Sequence, residues 1–218
     1  MKITVVGATG HTGSKVVELL NSDEIAGMIS SKTTDSEFEE AIRHSSAVID
    51  FSRPAAALKA AKICEKYSVP FVCGTTGFST EEFKTLKSYS KNTPILYASN
   101  FSLGIYVMKQ LLKICEKSLD DFDISIIDRH HNKKKDSPSG TTLTLAQQLR
   151  KTPQIVSLRI GGVVGDHICS FTSDNEEITI EHRSFDKKVF AAGAIKCARW
   201  LSSAKPGYYS LEEFMNVQ

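Results

Sequence analysis

Residues 2–20 read KITVVGATGHTGSKVVELL, and this stretch decides the fold of the first half of the chain. The β-branched, apolar run at residues 2–6 predicts a buried parallel strand. Gly7, Gly10 and Gly13 follow at GxxGxxG spacing, before a segment whose valines and leucines mark one face of a helix. Glycines allow a tight turn and a close approach of the backbone to a pyrophosphate. The pattern therefore predicts a dinucleotide-binding loop, with a plain tight turn as the alternative.

The cofactor is expected to be NADPH or NADH. Its pyrophosphate is assigned to the loop residues Gly7, Ala8, Thr9, Gly10, His11 and Thr12. The second predicted strand, residues 25–30, is followed by Ser31 and Lys32, where an enzyme that prefers NADH would place an acid to hold the ribose diol. No acid is present here to repel a 2'-phosphate, so NADPH is at least as acceptable as NADH. A solvated turn is the alternative interpretation of these two residues.

Strand and helix patterns alternate up to about residue 100. This alternation predicts an α/β fold with an N-terminal, Rossmann-like, doubly wound parallel sheet, whose ligands lie at the carboxyl ends of the strands. Three further strands are predicted to end before polar or glycine-rich segments. The residues at those ends, assigned to cofactor binding, are Phe51, Gly74, Thr75, Thr76, Ala98, Ser99, Asn100 and Phe101.

The pattern changes after Phe101. A long helix over residues 104–118 leads into an alternating strand, a basic loop, a helix after Ser139, and about three antiparallel strands. A last helix returns toward the first domain. We therefore expect a dinucleotide-binding domain at residues 1–100, completed by residues 197–218. Residues 101–196 are expected to form a second, α+β domain on a mixed or antiparallel sheet, for substrate binding.

The stretch DRHHNKKKDSPSGTTLTLAQQL, residues 128–149, combines a basic loop with the start of a helix. Backbone N–H groups and hydroxyls of Ser139, Gly140 and Thr141 predict a carboxylate- or phosphate-binding site. Next to them, His130, His131 and Lys134 predict a pocket for a small substrate with more than one negative charge. Cationic neighbours would lower the pKa of Lys134 and suit it to act as a general acid. The alternative is a solvated surface loop.

The composition excludes several classes of protein. A net charge of +2 over 218 residues is too small for a nucleic-acid or membrane-surface protein. The five cysteines are widely spaced, without a metal-like pattern with histidine, so we expect core residues and no metal site. No signal peptide or apolar run of membrane-spanning length is visible, and a cytoplasmic protein is expected.

At this point the sequence resembles the dihydrodipicolinate reductase family, the 4-hydroxy-tetrahydrodipicolinate reductases of bacterial lysine biosynthesis. The segments that carry the resemblance occur in the family's order over nearly the whole chain. They are GATGHTG, VIDFSRP, GTTGF, ASNFSLG, HHNKKKDSPSGT, FAAGAIKCARWL and KPGYYSLEEF. The element HH-x2-K-x-D-x-PSGT is the most specific of them.

The resemblance implies a reaction and a set of roles. Hydride passes from NAD(P)H to a cyclic, unsaturated dicarboxylate, and the neighbouring carbon is protonated to give tetrahydrodipicolinate. His130 is implied as proton donor or acceptor and Lys134 as proton donor. His131, Gly140 and Thr141 are implied as ligands of the substrate carboxylates. Residues 7–12 are implied to hold the pyrophosphate, and residues 74–76 and 98–101 to line the nicotinamide and ribose. The family is typically a homotetramer joined through the sheet of the second domain.

Three other functions remain as alternatives. An NADPH-binding redox sensor of the atypical short-chain dehydrogenase type, without catalysis, would share the glycine-rich loop, although it would not need a dicarboxylate pocket. An aspartate-semialdehyde dehydrogenase would need a cysteine nucleophile, and the strand and helix positions of Cys73 and Cys115 favour packing. A non-enzymatic anion-binding module would leave the glycine-rich first half unexplained.

Overall fold

The computed structural model describes residues 1–217, and the chain divides into two compact units. The first unit contains Met1–Phe101 and the chain from Lys188 onward, and the second contains Ser102–Lys187. The strands are β1 (Ile3–Val6), β2 (Ile25–Ile29), β3 (Ala47–Asp50), β4 (Phe71–Cys73), β5 (Pro94–Tyr97), β6 (Asp123–His130), β7 (Gln154–Arg159), β8 (Gly165–Thr172), β9 (Glu177–Ser184) and β10 (Gly207–Tyr209). The α-helices are α1 (Gly13–Leu19), α2 (Asp35–Arg43), α3 (Pro54–Tyr67), α4 (Thr80–Ser88), α5 (Leu103–Ser118), α6 (Gly140–Ala146), α7 (Lys188–Leu201) and α8 (Leu211–Met215). Short 3-10 helices cover Ser22–Glu24 and Tyr89–Lys91.

The first unit is built on a six-stranded sheet in the order β10-β5-β4-β3-β1-β2. All neighbouring strands in this sheet are parallel. Every residue of β1 and β3 is buried, as expected for central strands that helices cover on both faces. Alanines of α3 pack into the core beside Phe71 and Ile95. The prediction of an α/β fold with a Rossmann-like parallel sheet is confirmed.

Five elements of this unit were not predicted from the sequence, namely α2, α8, β10 and the two 3-10 helices. Helix α2 begins with a capping box, in which the Thr34 side chain accepts the Glu37 N–H and the Glu37 carboxylate accepts the Thr34 N–H. The spacing Thr-x-x-Glu is a local signal that could have located this helix. Strand β10 has only three half-buried residues and forms by pairing with β5, so its sequence carries no comparable signal.

The second unit is built on a four-stranded sheet in the order β7-β6-β8-β9. Strands β6, β8 and β9 pair antiparallel, whereas β7 pairs parallel with β6. The expectation of a mixed or antiparallel sheet is therefore confirmed as a mixed sheet. The more specific expectation of antiparallel strands after residue 154 was wrong for β7. The reason is that α6 lies between β6 and β7 in the chain and serves as a crossover, which returns the chain in a parallel direction.

Strand β6 separates its side chains onto two faces. Ile124, Ile126, Asp128 and His130 are buried, and the residues between them are partly exposed. On the buried face, apolar residues of β6 and β8 pack with helix α5 through Ile105, Met108, Leu112 and Cys115. Alternation along a strand therefore carries Asp128 and His130 onto the same face as the apolar core of this unit.

Helix α7 belongs to the first unit from its first residue, Lys188. It packs against α1 and against β3, β4 and β5. The expected boundary lay at residue 197, nine positions later. The two differ because α7 is one continuous helix, whose alanine-rich buried face already lies in the first unit at Ala191 and Ala194.

All five cysteines are buried free thiols, as expected for core residues. Burial raises the pKa of Cys64 and Cys73 well above the ordinary thiol value, and a nearby carboxylate, Asp50, adds to the effect. Neither is therefore suited to act as a nucleophile at neutral pH. None of the helices within residues 1–217 is both long and apolar enough to cross a membrane.

Candidate functional site

In the first unit, the glycine-rich loop follows β1 directly. Gly7 has a φ of +77°, and a β-carbon there would overlap the carbonyl group of Phe51. A β-carbon at Gly13 would overlap the carbonyl oxygen of Gly7. The loop closes through a hydrogen bond of 2.9 Å from the Gly10 N–H to the Gly7 oxygen. The tight conformation therefore requires glycine at positions 7 and 13, as the spacing predicted.

The loop presents unused backbone donors. The N–H groups of Gly7 and Ala8 both donate to the carbonyl of Ile29. In residues 1–217, by contrast, the N–H groups of Thr9, His11 and Thr12 form no hydrogen bond. Such clustered donors fit a phosphate.

Beside the loop lies a groove of about 350 Å³. Its lining residues come from the end of β1 and the loop, from the end of β2, from α2, and from the segment that joins β3 to α3. They are Val6, Gly7, Thr9, Gly10, Ile29, Ser30, Ser31, Phe38, Phe51, Ser52, Arg53 and Ala56. Ser31 was predicted to lie here, whereas Lys32 is exposed outside the lining. Arg53 was missed, although a basic residue just after a strand end is a signal that the sequence offers.

The predicted cofactor residues that follow β3, β4 and β5 meet at one edge of the sheet. A β-carbon at Gly74 would overlap the ring of Phe51, which makes an edge contact with Phe101 at 5.7 Å between centroids. Thr75 is buried, and its hydroxyl accepts the Ser52 N–H at 2.8 Å. Thr76 and Ser99 are exposed, and Ala98 and Asn100 are partly buried. Thr75 and Phe101 thus support this edge from inside.

Asp50, at the end of β3, is an unassigned carboxylate at the same edge. It is fully buried, accepts the Ser52 hydroxyl, and receives the Cys73 thiol at 3.5 Å. Burial raises its pKa to about 6, and the hydrogen bonds from Ser52, Thr75 and Cys73 oppose this rise. An acid within the apolar run AVID was visible in the sequence, but the run alone gave it no role.

In the second unit, strand pairing places four polar residues in one row. Across the sheet, Asp128 pairs with Ser157 on β7 and with His167 on β8, and His167 pairs with His182 on β9. The His167 and His182 rings lie 6.3 Å apart. Asp128, His167 and His182 were not among the predicted site residues, because their meeting depends on strand register and not on local spacing.

His130 lies on the same face as this row. Its Nδ1 is 2.5 Å from Asp128 Oδ1, and its ring meets the edge of the His167 ring at 5.3 Å. Burial lowers the pKa of His130; Asp128 opposes this effect, and the charge of Lys134 adds to it. The side chain of Arg129, one residue earlier, lies on the opposite face, near Asp166 at 3.6 Å.

Asp128 is surrounded by donors. Its Oδ2 accepts the Ser139 N–H at 2.7 Å, the Ser157 hydroxyl at 3.2 Å and Arg159 Nη2 at 3.3 Å. Burial alone would raise the pKa of this carboxyl. The Ser139 N–H and the charges of His130 and Arg159 outweigh burial, so that the pKa lies below its ordinary value.

His167 and Ser139 are buried and complete this cluster. Burial lowers the pKa of His167 to about 4, with a further contribution from His130. Its Nε2 is 3.3 Å from the Ser139 hydroxyl, which also accepts the Thr142 N–H and so caps α6. The predicted helix start at Ser139 is thereby confirmed, and both polar groups of Ser139 are engaged within the protein.

Lys134 has a carboxylate as its closest charged partner. Its ammonium is 2.8 Å from Asp136 Oδ1. The hydrogen bond from Lys134 lowers the pKa of Asp136; burial opposes this, and the Gly140 N–H adds a smaller lowering. The sequence predicted cationic neighbours for Lys134, and the structure adds a carboxylate, Asp136, as its closest charged partner. Two predicted substrate-site groups, the Lys134 ammonium and the Gly140 N–H, therefore both act on one carboxylate.

Asp128, His130 and His167 offer side-chain atoms within 4.8 Å of one another, a spacing that metal sites also show. Two features favour a hydrogen-bonded cluster. Asp128 Oδ2 already has three donors, and Arg159 and Lys134 place positive charge beside the group. His131 and Thr141 are partly buried next to it in sequence, and Gly140 is exposed.

Comparisons with known proteins cover both units. The family model "Dihydrodipicolinate reductase, N-terminus" matches residues 1–101, and "Dihydrodipicolinate reductase, C-terminus" matches residues 104–215. The 4-hydroxy-tetrahydrodipicolinate reductase of Thermosipho africanus is 36% identical over 218 residues, which cover 99% of this chain and 98% of the relative. That of Rickettsia bellii is 37% identical over 235 residues, with 98% and 94% coverage.

Solved structures agree on the fold. A dipicolinate-bound dihydrodipicolinate reductase from Paenisporosarcina superposes with a TM-score of 0.81 at 19% identity, over 98% of each chain. An aspartate dehydrogenase from Thermotoga maritima gives a TM-score of 0.53 at 15% identity, over 94% of this chain and 98% of the other. At these identities the likeness concerns architecture alone.

Proposed function

The chain belongs to the dihydrodipicolinate reductase family, and from this premise we infer that it reduces 4-hydroxy-tetrahydrodipicolinate to tetrahydrodipicolinate with NAD(P)H, in diaminopimelate and lysine biosynthesis. The observation that carries this conclusion is the match of both family models, which together account for nearly the entire chain. It agrees with the resemblance that the motifs indicated.

We propose that the glycine-rich loop and the groove beside it bind the cofactor. The unused N–H groups of Thr9, His11 and Thr12 would receive the pyrophosphate. Residues 51, 74–76 and 98–101 would line the nicotinamide and ribose at the carboxyl edge of the sheet. Ser31, Lys32 and Arg53 offer hydroxyls and positive charge where a 2'-phosphate would lie, so NADPH is expected to bind at least as well as NADH.

The substrate carboxylates are assigned to the start of α6. Support comes from Asp136, whose carboxylate lies 2.8 Å from the Lys134 ammonium and whose pKa the Gly140 N–H also lowers. A substrate carboxylate would take over these donors, together with His131 and Thr141. Ser139 has internal partners for both its N–H and its hydroxyl, so its role is to fix the start of α6.

The chemistry divides between cofactor and protein. NAD(P)H, when bound, supplies the hydride, and the substrate's hydroxyl group leaves as water in the overall reaction. Lys134 and His130 are the proposed proton donors to the carbon beside the one that accepts the hydride. The buried cluster around Asp128 keeps His130 in place while the positive charge at Lys134 holds the dianionic substrate.

We propose that the outer face of the second sheet forms the interface of a homotetramer. Strand pairing and alternation place Ile127, Val156, Leu158 and Ile168 on this face, opposite to the face that carries Asp128 and His167. Val156 and Leu158, two positions apart on β7, are 46% and 44% exposed. An apolar sheet face of this kind is typical of a surface that another copy covers.

A coupled assay tests the function. Freshly generated product of dihydrodipicolinate synthase is mixed with the protein and either NADPH or NADH, and absorbance is followed at the nicotinamide band. Oxidation that depends on both substrate and enzyme supports the proposal and gives the cofactor preference. Cofactor binding without oxidation of either cofactor would contradict it and favour the redox sensor.

A further inference from the structure

The two oxygens of the Asp128 carboxylate have different partners. Oδ2 accepts three donors, from Ser139 on α6 and from Ser157 and Arg159 on β7. Oδ1 lies 2.5 Å from the Nδ1 of His130. A carboxylate held at one oxygen by the surrounding elements has little freedom to move, so the other oxygen defines a fixed position for the imidazole.

We propose that Asp128 is a positioning residue that holds His130 in the tautomer with its proton on Nδ1, and so leaves Nε2 as the nitrogen that exchanges a proton with the substrate. The proposal rests on the proposed function, in which His130 takes part in proton transfer. It adds a residue and a tautomer to that role.

The tautomer of His130 follows from the groups that surround its two ring nitrogens. An ionised carboxylate only accepts hydrogen bonds, so an imidazole nitrogen held against it must carry the proton. His130 Nδ1 is completely buried, and therefore neither water nor substrate reaches the ring by that atom. The two atoms lie within ion-pair distance, although in the structure they do not meet the geometry of a hydrogen bond.

Charges from every neighbouring element act on His130. Asp128 on the same strand favours the imidazolium, whereas Lys134 in the basic loop and Arg159 on β7 oppose it. His167 on β8 has a pKa of about 4 and is neutral at pH 7. His182 on β9 is next in the row; burial lowers its pKa as well. Asp128 is thus the negative charge that balances the burial of His130 and its cationic neighbours.

The test begins with the wild-type protein, labelled with ¹⁵N in its histidines. The His130 signals are identified by their loss in His130→Gln. We expect His130 to show a protonated Nδ1 and an unprotonated Nε2 at a pH above its pKa. Observation of the proton on Nε2 would overturn the proposal without the need for any Asp128 variant.

Asp128→Asn then tests the cause. Asparagine keeps an oxygen for the three donors but turns an amide N–H toward His130, so we expect the proton to move to Nε2 and the pKa of His130 to fall. Turnover should drop by about 100-fold or more, the scale of a lost general acid–base contribution, while NADPH affinity stays unchanged. Asp128→Glu restores a carboxylate and should recover the Nδ1 tautomer together with part of the activity.

Ser157→Ala is the matched control, because it removes one donor to Asp128 and leaves the carboxylate in place. We expect it to keep the wild-type tautomer. A tautomer change in Ser157→Ala equal to that in Asp128→Asn would assign the effect to general loosening of the cluster. The NMR result is independent of the assay: an inactive wild type with the Nδ1 tautomer would reject the proposed function alone.

Discussion

Gly165, the first residue of β8, lies against the imidazole of His130, and a β-carbon at this position would be 3.0 Å from Nε2. The ring would have to move by a few tenths of an ångström. Because proton transfer depends on positioning at this scale, we expect Gly165→Ala to lower kcat by about tenfold or more and to leave NADPH affinity unchanged. Steady-state kinetics and a cofactor titration measure both quantities.

Gly162→Ala is the control for that substitution. A β-carbon at Gly162 would meet nothing within 4 Å, and the residue lies in the turn just before β8. We expect near wild-type turnover from it. Equal losses in both variants would mean that the backbone of this segment, and not the space beside His130, limits the reaction.

His130 and Lys134 are expected to be needed for turnover and not for folding or cofactor binding. Removal of a positioned acid or base commonly costs about 10²- to 10⁴-fold in rate. We therefore expect His130→Ala and Lys134→Ala each to bind NADPH like the wild type and to lose turnover on that scale in the coupled assay. Lys133→Ala, at an exposed neighbour in the same loop, should retain activity. Wild-type rates in the first two variants would remove the proposed proton chemistry.

The fold of the first unit could be predicted because its signals are local. The run at residues 2–6 fixes a buried strand, and Gly7 and Gly13 meet steric demands that only glycine satisfies. The parallel pairing of β6 with β7 could not be predicted, since it depends on the crossover through α6. A Gly-Gly pair at residues 161–162 has the composition of a hairpin turn, although the two strands on either side of it do not pair.

The candidate site divides in the same way. His130, Lys134 and the start of α6 lie within one short segment, and its residue types were sufficient to predict a site for a charged substrate. Asp128 and His167 are 39 positions apart and meet only because β6 and β8 pair in a register that places them opposite each other. The role of Asp136 could not be predicted for another reason. The partner of a carboxylate inside a basic loop cannot be assigned until the side-chain geometry is known.

Asp50 makes the stability of the first unit depend on pH. Its pKa is about 6 in the folded protein and 3.8 ordinarily. Between these values the folded state binds more protons than the unfolded state, so this group's contribution to the free energy of unfolding falls as pH rises. Above pH 6, ionised Asp50 lowers the free energy of unfolding by an amount on the order of 3 kcal/mol. Asp50→Asn lacks this titration, and its stability relative to the wild type should therefore increase from pH 4 to pH 7.

Urea unfolding measures that difference, with the fluorescence of the single tryptophan as the probe. Trp200 lies on α7, in the same unit as Asp50, and so reports on the relevant part of the protein. Other titrating groups cancel when the two proteins are compared at each pH. A constant difference across the range would show that Asp50 ionises as an ordinary carboxyl does.

Lys32 provides a test of how the protein recognises the cofactor's 2'-phosphate. It follows β2 on an exposed turn, where its N–H donates to the Ser30 hydroxyl, and Ser30 lines the groove beside the glycine-rich loop. A glutamate at this position would repel a 2'-phosphate and would be able to accept hydrogen bonds from a ribose diol. We expect Lys32→Glu to raise the Kd of NADPH by about tenfold relative to that of NADH, a difference of roughly 1.4 kcal/mol.

Fluorescence titration of each cofactor gives the ratio, with Lys62→Glu on α3 as a control of equal charge change outside the groove. If the ratio is unchanged in Lys32→Glu, the 2'-phosphate is recognised elsewhere, and Arg53, which lines the groove, becomes the residue to substitute next.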